Sequence, residues 1–168
     1  MLRRLVSTAV LATLTTGCAG GFMERTITKD EALRRVHELI DDTVAIIDPK
    51  PRLDLDPTTL SVHHCLDPSD GGSEDRIYVT RGYYLRGIPK EKIGDVARQI
   101  RRRWEERGHF IDSVSKDGTV IAARSRPDDF TLALSWTAGD VLMIEVSSYC
   151  IWPNGTPEPS SSSGPGEP

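Results

Sequence analysis

The sequence predicts an α+β domain: an antiparallel sheet of about six strands with two helices packed on one face. Three observations lead there. Two stretches carry apolar residues at helical spacing, several shorter ones alternate apolar with polar residues, and the order reads helix, two strands, helix, four strands. A chain of 168 residues with 38% hydrophobic content can build one core, so a single domain is expected over residues 28–153.

The first helix is expected from Lys29 to Ile47. "TKDE" has the form of a capping box, Thr28 followed by Glu31, and Leu33, Val36, Ile40, Val44 and Ile47 recur on one stripe before "DPKP" ends the run. His37 falls beside that stripe. "HELID" departs from the two-histidine zinc-protease motif at Asp41, so a partly buried structural histidine is the expectation.

After a loop rich in Pro and Asp, "TLSVHHCL" and "DRIYVTRGYYLRGI" read as strands joined by "DPSDGGSE". The second places Ile77, Val79, Tyr83 and Leu85 on one face, interrupted by Arg81. In the first, His64 shares a face with Leu60, Val62 and Leu66, which makes it a candidate core histidine, while His63 faces the other way with Cys65. "DPSDGGSED" lacks the glutamate of a calcium loop, Tyr78 standing in its place, and reads as a turn of solvated acids.

"IPKEKIGDVARQIRRRWEERG" is the clearest element. Pro89 suits a first turn, Ile93, Val96, Ala97, Ile100 and Trp104 form one stripe, and Gly108 suits the stop. Its arginines alternate with Asp95, Glu105 and Glu106, the pattern of a salt-bridged outer face. Four strands follow, Phe110 to Val114, Thr119 to Ala123, Phe130 to Trp136 and Val141 to Tyr149, with tight turns at "SKDGT" and "TAGD". Residues 154–168, ending in "PEPSSSSGPGEP", lack a core-forming pattern and are expected to be disordered.

Residues 1–17, "MLRRLVSTAVLATLTTG", have the three parts of a secretory signal peptide: Arg3 and Arg4, an apolar run from Leu5 to about Leu14, and small residues at the end. The run is shorter than the roughly 20 residues a spanning helix needs. "LTTGC" resembles the lipobox of bacterial lipoproteins, with Gly17 and Cys18 matching and Thr15 standing where leucine is usual. That resemblance implies a lipid on Cys18, a mature chain beginning there, and residues 18–27 as a lipidated N-terminus and short tether to the outer face of the cytoplasmic membrane. Acyl chains contribute about 0.8 kcal/mol per buried methylene, enough for two or more to hold a domain on a bilayer. The nine residues "AGGFMERTI" reach about 30 Å at most. Export by the general or the twin-arginine route stays open.

With Cys18 set aside, Cys65 and Cys150 remain, an even pair in a compartment that permits disulfides, and a bridge is expected. The rivals are two free thiols or metal ligands. Because Cys65 lies opposite the presumed core face, the bridge requires a bulge or a strand end.

Charge narrows the partners. The chain carries -4, and the 21 basic residues less Arg3 and Arg4 leave 19 against 25 acidic, or -6, which speaks against a nucleic-acid binder. Arginine outnumbers lysine 16 to 5, and Asn154 is the single asparagine. No serine nucleophile elbow, paired zinc motif, phosphate loop or dinucleotide fingerprint occurs, so no catalytic residue, metal ligand or cofactor is assigned.

The stretches "RIYVTRGYYLRGIP", "RRRWEERGHFI", "RPDDFTLALSW" and "SYCIWPNGTPEP" resemble small lipoproteins of actinobacteria of the LppA type. The resemblance implies a lipobox followed by one compact α+β domain, and no established activity. Three functions follow as expectations: a membrane-anchored binding or accessory domain of the envelope, with an envelope protein or a small ligand as partner; an extracytoplasmic hydrolase using His63, His64 or His109; or a purely structural envelope protein. Exposed aromatics such as Tyr78 and Tyr84 on the sheet face away from the helices would mark a binding surface.

Overall fold

A computed structural model describes residues 25–65 and 75–157. Cys18 and most of "DPSDGGSED" lie outside the described residues, as does the chain beyond Pro157.

Helix α1 (Lys29–Val44) begins at the expected capping box: the Thr28 hydroxyl accepts from the Glu31 amide while the Glu31 carboxylate accepts from the Thr28 amide. It ends three residues before Ile47, whose amide turns back to the Val44 carbonyl in a tighter closing turn. The rest of the chain forms β1 (Arg52–Leu55), a 3-10 turn (Pro57–Leu60), β2 (Val62–His64), β3 (Ile77–Arg86), a second 3-10 turn (Lys90–Lys92), α2 (Ile93–Glu106), β4 (Phe110–Val114), β5 (Val120–Arg124), β6 (Thr131–Thr137) and β7 (Val141–Ser147). The fold is α+β, with one antiparallel sheet in the order β1-β3-β7-β6-β5-β4 and β2 paired with the start of β3.

Alternation decides what the sheet buries. Leu142, Ile144 and Val146 of β7 lie beside Leu132 and Leu134 of β6, which lie beside Ala123 and Ile121 of β5; all are buried on one face. They form a single cluster with Val36 and Ile40 of α1 and with Val96, Ile100 and Trp104 of α2. Burying this surface is the main source of stability. Within that core a hydrogen bond runs from the Trp104 indole to the Thr43 hydroxyl, 2.9 Å, and Thr43 is itself bonded to the Leu39 carbonyl. Thr43 thus gives the buried indole its acceptor.

Strand β1 and the 3-10 turn differ from the expectation. Pro51, Asp56 and Pro57 bracket β1, so it reads as loop, yet its four residues pair with Leu85 and its neighbours along the sheet edge. The turn Pro57–Leu60 replaces the start of the expected strand because Asp56 caps it, accepting from the Thr58 amide and hydroxyl. Thr59 then lies over Gly82 of β3: a Cβ on Gly82 would stand 2.9 Å from the Thr59 methyl and 2.7 Å from the Met143 Cε. No side chain fits there without displacement.

Candidate functional site

The two ends of β3 mark the two ends of the domain, about 26 Å apart from Ile77 to Leu85 at the usual rise per residue. The chain enters at the Ile77 end. The Thr26 amide donates to the Gly155 carbonyl, the Lys29 amide to Pro153 and the Trp152 amide to the Thr26 hydroxyl, so the first and last described segments are bonded together. Ile77 and Ile151 exchange two backbone hydrogen bonds beside them.

Cys65 and Cys150 are bonded here, with Cα atoms 6.1 Å apart. The facing conflict raised by the sequence is resolved by strand ends: Cys65 follows β2 and Cys150 lies beyond β7, where alternation no longer dictates direction. The bridge joins segments 85 residues apart and straddles Arg76, whose carbonyl accepts from the Cys65 amide and whose guanidinium donates to the Cys150 carbonyl.

The histidines are distributed, not gathered. His64 is exposed, as are Leu60 and Val62, so the expected core histidine is corrected: the 3-10 turn removes Leu60 from the strand, and the three-residue strand that follows leaves Val62 and His64 outward. His63 stacks on Tyr78 at 4.8 Å. His37 is exposed on α1 and not partly buried, because Val36, Leu39 and Ile40 take the inward stripe. His109 is half-buried and its Nδ1 accepts from the Arg126 amide. Burial first, and then the Arg35 charge, hold its pKa below the ordinary value. Ser125, in the turn beside it, is fully buried; its hydroxyl donates to Asp128 at 2.6 Å and accepts from the Phe130 amide. A nucleophile must be reachable and bonded to its base, and this serine is neither free nor exposed.

A groove of about 330 Å³ lies at the same end, between α1, the 125–130 turn and Tyr149. Arg35 spans it, donating to Asp128 at 2.5 Å and to Glu38 at 3.2 Å. Burial opposes the Asp128 charge, but hydrogen bonds from Arg35 and Ser125 outweigh it and keep the carboxyl below its usual range. Glu31 is held by the helix cap, and Tyr149 meets Phe130 edge-on at 5.8 Å. The groove's polar groups mostly satisfy one another.

At the far end, Trp136 meets the first turn of α2 in an open cleft of about 560 Å³, lined also by Lys90, Glu91, Gly94, Asp95 and Arg98. Lys90 pairs with Asp140 at 2.6 Å, and Arg98 pairs with Asp95. The turn that presents Asp140 needs left-handed backbone at Gly139 and Asp140, φ 86° and 57°. Nothing in the strand pattern alone singled out Trp136, since its alternation reads as core; in the structure its ring is only partly covered and lines the cleft with Gly94.

Tyr78 and Tyr84, expected to mark the other sheet face, are both half-buried and engaged. Tyr78 carries His63, and Tyr84 lies under Arg86 at 4.9 Å. Arg101 of α2 pairs with Glu105 at 2.9 Å, as the sequence pattern suggests, while Arg103 and, just past the helix, Arg107 both reach Asp42 of α1, which that pattern does not encode. Among the described residues there is no cluster of three or more metal-ligating side chains, and no helix long and apolar enough to cross a membrane. Comparisons with protein-family models, curated proteins and solved structures return no match to this chain.

Proposed function

We propose that the chain is a lipoprotein held by a lipid on Cys18 at the outer face of the cytoplasmic membrane, and that its domain is a non-catalytic binding or accessory module of the envelope. The reading draws its support from one coincidence of sequence and geometry. The leader ends just before Cys18, and eight residues later, within about 30 Å, the chain is bonded to the domain at Thr26, beside the Cys65–Cys150 bridge. Such a tether keeps the domain close to lipid with its Ile77 end toward the bilayer and the Trp136 end outward. A disulfide suits an oxidising compartment.

Fractionation of cells expressing the full chain tests the reading. The native chain is expected in the membrane fraction, extracted by detergent and not by salt. Cys18→Ala is expected to lose the mature, detergent-extracted form. Equal behaviour of the two chains contradicts the proposal.

A further inference from the structure

We propose that the cleft between Trp136 and the first turn of α2 binds a neutral saccharide. The proposal rests on the reading of the domain as a binding module and is independent of the anchor, since the cleft lies at the end of β3 remote from Thr26.

Trp136 is the accessible tryptophan: Trp104 and Trp152 are 1% and 3% exposed, whereas Trp136 is only partly covered and lines the cleft. It packs partly against the core, which holds the indole in place, so a ligand meets a flat apolar ring that loses little freedom on binding. Around the ring the charges are paired, Lys90 with Asp140 and Arg98 with Asp95. An anion would meet Glu91 and Asp95, and a cation would meet Lys90 and Arg98, so neither is selected. What the rim offers is donors and acceptors interleaved around an apolar plate. A sugar ring has the matching chemistry: a face of C–H groups to lie on the indole, and hydroxyls at its edge that both donate and accept. The cleft's volume lies in the range of small-ligand sites.

Gly94 supplies the second argument. It occupies the first turn of α2 with ordinary helical backbone, where any residue with a Cβ favours the helix more. A Cβ there would meet nothing nearer than the Arg98 guanidinium at 3.6 Å, so the local packing does not demand glycine. Gly94 lines the cleft, so a large side chain there would take up part of its volume.

Because the other two tryptophans are buried, intrinsic fluorescence reports on Trp136. The folded chain is titrated with chitotriose, maltotriose and xylotriose. At least one is expected to change the emission saturably, and Trp136→Ala and Gly94→Leu are each expected to weaken binding by about tenfold or more, the scale of a lost anchor residue. Binding by Trp136→Ala is read by calorimetry, since that chain lacks the reporter. Gly94→Leu should keep the native melting temperature or raise it, so it decides the matter even if Trp136→Ala folds poorly. A saccharide bound equally well by Gly94→Leu, or no saturable change with any of the three sugars, overturns the proposal. A chain lipidated on Cys18 but silent to all three keeps the anchor and loses the cleft; a chain that binds sugar without lipid does the reverse.

Discussion

The two ends of β3 are secured in different ways. At the Ile77 end, a disulfide, an isolated bridge to Ile151 and the bonds joining Thr26 and Lys29 to the Trp152–Gly155 segment tie together segments distant in sequence. At the Leu85 end, one tight turn, the Lys90–Asp140 ion pair and a tryptophan at the core's margin do the same task without a covalent link. The difference teaches where rigidity is invested. Under the proposed anchor, the end next to the membrane is the end that resists being pulled open, while the outward end is left accessible to a ligand.

The largest effect should come from breaking the bridge. Replacing both Cys65 and Cys150 with Ala is expected to cost about 4 to 5 kcal/mol in the chain-entropy model for a loop of 85 residues, read as a lower denaturation midpoint. A loss near zero would equalise the two ends and remove the contrast. Midway along β3, Gly82→Ala is expected to cost about 1 to 3 kcal/mol, because the new methyl must displace Met143 and Thr59. Back at the Ile77 end, Thr28→Ala removes the cap of α1 and should cost about 1 kcal/mol.

A smaller effect concerns acid. His109 is held below its ordinary pKa in the fold, so the unfolded chain takes up its proton first as pH falls. Its contribution is present above about pH 6.5 and declines below that, between the unfolded and folded values. Asp42 and Asp128 are depressed carboxylates, and their contribution is present above about pH 4 and lost as pH falls through their folded values. His109→Gln is therefore expected to flatten the decline between pH 7 and 5 and to leave the steeper loss below pH 4. The smallest effect is expected at the Leu85 end: Lys90→Ala breaks an exposed pair and should leave the melting temperature unchanged within error.

The comparison also explains what could be read from the chain. Both helices were legible, since Thr28 with Glu31 and the Ile93–Trp104 stripe are local signals, and so was the α+β class. The pairing of Cys65 with Cys150 followed from counting, although not the strand ends that permit it. Strand β1 was hidden because its pairing with β3 overrides the prolines around it, and the 3-10 turn because the Asp56 cap competes with an apparently continuous strand. His64 was misplaced by the same turn. The cleft was not legible because it is lined both by the end of β6 and by the start of α2, 42 residues earlier, a juxtaposition no local pattern encodes.

The central claim, a domain lipidated at Cys18 and clamped by Cys65–Cys150 beside that anchor, can be read from one intact mass. The chain is extracted from membranes with detergent and weighed before and after reduction. The account predicts a polypeptide beginning at Cys18, heavier by acyl groups that map to that residue, which gains two hydrogens on reduction. A chain that begins elsewhere, carries an unmodified Cys18 or gains nothing on reduction would contradict it.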